Sequence, residues 1–289
     1  MRPLKWFVTA FTVVFLFAPL VVVAIVSINE NRYMDFPPEG FSLSWYTALW
    51  TDPAWRNAIV RSLTIAVASA ALAVAIATPF AYVLRAYRIR LAPLLYSLGI
   101  LPFMLPPVIS ALGAQVFWNA TGHVGRIENV IVAHAVFFST LPLITISLAM
   151  ETMDPSLREA AQTLGASPRQ TFRTITLPLL VPSMVTGFAA SFVLSLNEYI
   201  IAFLVAGFSV ETLPIKIFNS LRYGFTPTVA AVAVVFILVA GAVFTLAAMY
   251  GNLLRFLGAD PSIVERERPA GEAPGPAGEI VREPVGAGV

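Results

Sequence analysis

Six apolar runs divide the chain, at residues 6–28, 62–84, 93–118, 130–150, 179–206 and 229–254. Each offers the about 20 predominantly apolar residues that a helix needs to cross the hydrocarbon of a bilayer. The pattern predicts an all-α membrane protein with six spanning helices. Between the first two runs lies a polar loop, 29–56, carrying Tyr33, Phe36, Phe41, Trp45 and Tyr46. Amphipathic rings of this kind are comfortable at the membrane–water interface, and a short helix is predicted there at 44–50. The segment 264–289 is rich in Pro, Gly, Ala and Glu and has no apolar period, so disorder is expected for it. The chain divides into a short N-terminal segment (1–5), a six-span domain (6–257) and a disordered tail (258–289). No internal repeat is visible.

Composition agrees with lipid as the main solvent. Of 289 residues, 58% are apolar and 12% charged, more apolar surface than a soluble domain of this length can hide. The net charge of +2 gives no argument for nucleic acid. With no cysteine and two histidines, His123 and His134, thiolate chemistry is excluded and a metal centre is not expected. Arg2 and Lys5 precede the first apolar run as they would in a secretory signal. That run exceeds the roughly 7–15 residues of a signal core and lacks a small-x-small cleavage site, so it reads as a retained anchor.

Six spans put both termini on one side, and the basic residues choose it. One set of flanks and loops holds nine near the membrane: Arg2, Lys5, Arg85, Arg88, Arg90, Arg158, Arg169, Arg173 and Arg255. The other holds six: Arg32, Arg56, Arg61, Arg126, Lys216 and Arg222. Arg266, Arg268 and Arg282 in the distal tail join the first set. The bias places both termini in the cytoplasm.

The segment EAAQTLGASPRQTFRTITLPL, 159–179, lies between the fourth and fifth runs and so on the same side. Asp154 suits a helix N-cap with Pro155 at the first helical position; alternatively Ser156 and Glu159 form a capping box. Leu157, Ala160, Ala161 and Leu164 recur at helical spacing, and Gly165 supplies the left-handed residue that ends a helix. Ser167-Pro168-Arg169-Gln170 starts a second helix, and Ile175, Leu177 and Pro178 lead into the fifth span.

The residue order carries more than the caps do. Glu159, Ala160, Ala161, Gly165, Ile175, Leu177 and Pro178 resemble the cytoplasmic signature of the membrane subunits of bacterial ABC importers. The resemblance covers roughly 6–254. It implies the type I importer permease fold, with a cytoplasmic coupling helix that docks into a cleft on an ATPase subunit. The stretch 197–234, with Thr212-Leu213-Pro214-Ile215-Lys216-Ile217, Arg222 and Thr226-Pro227, is similar to the spermidine/putrescine branch, as is LSWYTALW at 43–50. Arg61 departs from that branch, where many relatives carry a small polar residue. The implied partners are a separate ABC ATPase homodimer, a second permease subunit that is a paralogue, and an extracellular substrate-binding protein, all at a bacterial inner membrane. No cofactor is implied. The solute expected is a polyamine, with an opine, an amino-acid derivative or another small solute as the alternative.

Three features inside the spans bear on mechanism. Pro102, Pro106 and Pro107 interrupt the third, either as a kink beside the pathway or as an ordinary packing kink. His134 in the fourth is a hydrogen-bonded structural imidazole or a proton relay. Glu198 is the acidic residue well inside a span, where charge costs at least a few kcal/mol unless it meets water or a partner. Gly187, Ser191 and Ser195 form a small-residue stripe, and at about 100° per residue Glu198 falls on it while Tyr199 points away. Ser195, Asn197, Glu198 and Tyr199 are therefore candidates for the substrate pathway. Glu198 either holds an ammonium group in transit or pairs with a basic or hydroxyl group of the partner subunit.

Other classes fit poorly. No G-x-x-x-x-G-K-[ST] loop occurs, so ATP hydrolysis belongs to another chain. An ion-driven carrier would show more intramembrane carboxylates and repeat halves. A membrane enzyme needs a nucleophile, a metal cluster or paired acids, which the spans do not offer.

Overall fold

The computed structural model describes residues 2–33, 35–87, 89–224 and 226–250. The expected tail (258–289), the end of the sixth apolar run (251–254), Arg88 and Arg255 lie outside the described residues. Thirteen α-helices and one π turn are described. They are α1 (Arg2–Val26), α2 (Ser44–Thr51), α3 (Pro53–Ala86), α4 (Ala92–Met104), α5 (Pro107–Ala120), α6 (Ile127–Phe138) and α7 (Thr140–Thr152). There follow α8 (Ser156–Thr163), α9 (Pro168–Thr171), the π turn Phe172–Thr176, α10 (Leu177–Asn197), α11 (Ile200–Ala206), α12 (Leu213–Tyr223) and α13 (Pro227–Tyr250).

Five helical stretches are long and apolar enough to cross a bilayer: Leu4–Val26, Pro53–Ala86, Ile127–Thr152, Pro168–Asn197 and Pro227–Tyr250. A bent pair of helices stands where the third crossing was expected. Helices α4 and α5 meet at 99° across Leu105–Pro106. Neither Pro106 nor Pro107 has an N–H to continue the helix, and a proline also drives the residue before it out of helical backbone. Leu105 accordingly sits at ψ 145. Helix α4 packs on α7, α3 and α6, and α5 packs on α11 and α6.

Helix α3 is the axis on which the bundle is built, touching α6, α7 and α10 along its length. The middle of its buried face is rich in alanine, with Ala66, Ala70, Ala73, Ala77 and Ala81 no more than 2% exposed. In lipid, helices gain little from burying grease, so close backbone approach through small side chains supplies the packing. At one end α2, the start of α3, α12 and α13 close over a cluster of Leu49, Trp55, Ile59, Leu213 and Val229. The Trp45 indole donates to the Asn29 carbonyl at 2.6 Å, and Ser27 and Tyr46 share a hydroxyl hydrogen bond of 2.7 Å, tying loop 29–43 to this platform. The short helix expected at 44–50 is present as α2. Helix α1 lies against α13 with most of its surface open, as suits a lipid-facing element.

Of the spans expected to be continuous, the fifth is interrupted and the fourth carries a local irregularity. The fifth splits into α10 and α11 at Glu198–Tyr199. In the fourth, α6 and α7 meet at Ser139, where Pro142 cannot donate to the Phe138 carbonyl. That carbonyl is instead taken by the Ser191 hydroxyl of α10 at 3.2 Å.

Candidate functional site

Two regions hold the residues singled out by the sequence: the polar segment at one end of the bundle, and the break in the fifth span.

In the polar segment, the Asp154 carboxylate accepts the Ser156 N–H at 2.9 Å and caps α8, so the first of the two capping alternatives is the one formed. That N–H and the Ser156 hydroxyl hold the Asp154 carboxyl below the ordinary carboxylate range. Helix α8 ends where expected. Gly165 has φ +87, the Gly165 N–H donates to Gln162 O and the Ala166 N–H to Ala161 O, both at 3.0 Å. This pair of bonds, reaching back over a left-handed glycine, is the Schellman closure. Ser167 caps the next helix by accepting the Gln170 N–H at 3.3 Å.

The second helix is not a separate element. From Pro168 it runs on as one 30-residue helix to Asn197, through the π turn that holds Ile175. Pro178 explains the widening: it has no N–H to offer, its ring crowds the carbonyl four residues back, and Leu177 N–H bonds Phe172 O instead. Helix α8 packs against α9 and the π turn at the start of that long helix. None of its residues is buried; Glu159 and Ala160 are exposed, Ala161 half-buried, and Leu164 beside it is 89% exposed. Among the described residues nothing covers this apolar side chain at the end of an amphipathic helix. Beneath, Phe172 packs edge-on to Tyr82 at 4.6 Å beside a cleft of about 520 Å³ bordered by Arg169 and Arg173. Arg85 and Glu151 form a half-exposed ion pair at the same end.

At the second region, the stripe of small residues on α10 packs against α6 and α7. Gly187 faces Pro142 so closely that a Cβ there would lie 2.6 Å from its Cα. Ser191 bonds Phe138 O, and the Ser195 hydroxyl lies 2.8 Å from His134 Nδ1. Partners thus recur every four residues on both helices: 142 with 187, 138 with 191, 134 with 195. The stripe is an interface between helices of this chain.

The network continues in both directions from His134. Ser195 Oγ is 2.9 Å from Ser69 Oγ on α3. On the other side, His134 Nε2 lies 3.2 Å from Glu198 Oε2. The Glu198 carboxylate also accepts the Ile201 N–H at 2.9 Å and the Ala202 N–H at 3.1 Å, capping α11. A helix that starts in apolar surroundings leaves N–H groups unpaired, and an anion there satisfies them and meets the positive end of the dipole. The imidazole is 1% exposed and the carboxylate 9%.

Proton positions follow from the donors available. If Ser69 donates to Ala66 O (3.3 Å), Ser195 donates to Ser69, and His134 must donate through Nδ1. If instead the hydroxyl chain runs toward the ring, Nδ1 accepts and Nε2 carries the hydrogen. The first arrangement sets two lone pairs 3.2 Å apart unless the ring or the carboxyl carries a further proton; the second points Nε2–H toward Oε2. The Ser–His–Glu order is not a nucleophile's, because Ser195 is 4% exposed with its hydroxyl engaged on both sides.

Glu198 therefore turns toward the stripe, as its helical position predicts, although the helix itself ends one residue earlier. Its partner comes from within the chain, on span four. Sequence distance hides such a pair; the visible signal was the polar Asn197-Glu198 step inside an apolar run. Asn197 is exposed and Tyr199 half-buried, its ring stacked on Phe203 at 5.4 Å and tilted against Phe218 at 4.9 Å. Among the outer basic residues, Lys216 lies 3.8 Å from Glu211 and 5.7 Å over the Trp55 ring, while Arg222 and Arg61 are exposed. Among the described residues no group of three metal-ligating side chains occurs.

Comparison with known proteins gives the family and the fold. The family model described as binding-protein-dependent transport system inner membrane component matches residues 1–252. The putrescine transport system permease protein PotI of Escherichia coli K12 is 34% identical over 226 residues, 76% of this chain and 80% of its own. The spermidine/putrescine transport system permease protein PotC of Haemophilus influenzae is 31% identical over 232 residues, 80% of this chain and 90% of its own. Among solved structures, a bacterial ABC transporter involved in import of the acidic polysaccharide alginate superposes with a TM-score of 0.67 at 16% identity. That match covers 86% of this chain and 95% of the other, and it shows the fold as that of ABC importer permeases. The ion-driven carrier and the membrane enzyme are set aside by the family match, and ATP hydrolysis lies on a separate subunit. The chain belongs to the family of binding-protein-dependent transport system inner membrane components.

Proposed function

We propose that this chain is one membrane half of an ATP-driven importer for a small cationic amino solute of the putrescine or spermidine kind. The observation that carries the reading is α8: a short amphipathic helix with no buried residue, Leu164 beside it 89% exposed and the Gly165 corner formed at φ +87. A surface of that shape suits a cleft on an ATPase, which we take to be a homodimer. The solute class rests on the relatives named for putrescine and spermidine. The second permease subunit is a paralogue in this reading, and an extracellular binding protein delivers the solute to the platform of α2 and α12. Both termini lie on the ATPase side. Asn197 and Tyr199 are the side chains we place on the solute's route, while Ser195 and Glu198 support that route from behind.

The test is uptake of labelled putrescine by proteoliposomes holding the complete complex and its binding protein. Uptake that requires ATP and is competed by spermidine is expected. Competition by anionic or neutral solutes alone would sink the solute class while leaving the importer fold untouched.

A further inference from the structure

We propose that His134 and Glu198 form a clamp that positions the half-helix α11, and with it the arm α5, for the transport cycle. The inference rests on the importer reading of the chain and deepens it at the break in the fifth span.

Four observations carry it. First, α11 (Ile200–Ala206) is wholly apolar, so its polar tie to the bundle is made at its start, where Glu198 accepts the N–H groups of Ile201 and Ala202. Second, that carboxylate does not float on its own helix. His134 of α6 meets it at 3.2 Å, and Ser195 of α10 and Ser69 of α3 hold the imidazole from behind. Helices α3, α6 and α10 thus meet in one grip on a short one. Third, α11 carries α5: the two pack together, and Ile201 lines the same cavity of about 430 Å³ as Gly113 and Phe117. Fourth, α5 is the second helix of the pair bent by 99°, so its direction is not set by continuity with α4. What orients this arm is its contact with α6 and α11, and α11 is oriented by Glu198.

Both groups act through other residues and are positioning residues. The facing elements α3, α6, α10 and α11 bring no further acidic or basic side chain into the network among the described residues. A clamp of this kind asks for a hydrogen-bonding group at 198, whereas a cation-binding site asks for a negative charge. Glutamine separates the two. Its carbonyl accepts from α11, and its amide donates to Nε2 when Nδ1 carries the ring hydrogen to Ser195. Alanine removes both contacts and leaves a buried imidazole nitrogen and helix N–H groups unpaired.

The experiment uses the assembled complex with two readouts. Hydrogen exchange of the 200–206 segment is measured without solute. Glu198→Ala and His134→Ala are expected to speed it by about tenfold or more, since local opening is set by such ties. Glu198→Gln is expected within about twofold of the parent, with α10 unchanged in all three. Putrescine uptake is then measured across concentrations. The expected result is a maximal rate about tenfold lower for Glu198→Ala, with the half-saturating concentration unchanged and Glu198→Gln close to the parent. The double variant Glu198→Ala/His134→Ala should be no worse than either single one. Unchanged exchange in Glu198→Ala overturns the clamp. So does Glu198→Gln losing uptake as fully as Glu198→Ala with a raised half-saturating concentration, which would make Glu198 a solute contact. A parent complex that does not take up putrescine defeats the solute class alone, and the exchange readout still decides the clamp.

Discussion

Gly187→Ala is the smallest change that tests how the bundle is held together. An alanine Cβ at this position would lie 2.6 Å from Pro142 Cα, 2.7 Å from Pro142 Cβ and 2.9 Å from Thr145 Oγ1. Two of those atoms are ring or backbone and cannot swing aside, so α10 must move off α7 by most of an ångström to regain ordinary contact. The bonds above and below feel that shift. Thr145 Oγ1 donates to Ser183 O at 3.0 Å, Ser191 Oγ to Phe138 O at 3.2 Å, and His134 lies 2.8 Å from Ser195. Overpacking of this sort costs about 1–3 kcal/mol, and each loosened buried hydrogen bond adds about 1 kcal/mol. At about 2–4 °C per kcal/mol for a chain of this size, the complex in detergent should melt several degrees lower. The control is Gly241→Ala in α13, where a Cβ meets nothing within 4 Å. That variant should melt at or slightly above the parent, because alanine favours a helix by about 1 kcal/mol. Equal melting of the parent and Gly187→Ala would refute the close-packed seam.

Two further outcomes are expected. Ser191→Ala strips the donor from the Phe138 carbonyl that Pro142 leaves open, so it should destabilise the complex by about 1–3 kcal/mol in the same melting assay, whereas Ser97→Ala, whose hydroxyl bonds only its own helix, should not. Reporter fusions at Arg90 should score cytoplasmic and at Asp52 external; an external signal at Arg90 would reverse the orientation drawn from the basic residues.

How far the sequence could lead depended on whether a feature is local. The Gly165 corner, the Asp154 and Ser167 caps and α2 were all legible, because each is decided within a few residues by backbone freedom or a short side-chain bond. The six apolar runs located the spans but hid what happens inside them. Pro106 and Pro107 announced an interruption, yet its 99° angle depends on what α4 and α5 each pack against. The break at Glu198 was invisible to periodicity, since a helix can stop inside an apolar run wherever a side chain supplies the missing cap. His134 offered no acidic partner on its own span, and the partner it has lies 64 positions away in sequence, supplied by the fold. The stripe of Gly187, Ser191 and Ser195 was readable as a close surface; that its opposite number is Pro142, Phe138 and His134 was not.

In the importer proposed above, α8 and its glycine corner pass ATPase motion to the bundle. Gly165→Val addresses it directly. A Cβ at 165 meets nothing within 4 Å, so the substitution causes no clash and acts only through φ +87, which valine strongly resists. ATP hydrolysis and solute uptake are measured together in proteoliposomes of the complete complex with its binding protein. The expected result is a complex that assembles in normal yield but loses uptake, with hydrolysis no longer stimulated by the loaded binding protein. Normal assembly with uptake and stimulated hydrolysis both at the parent rate would contradict the claim.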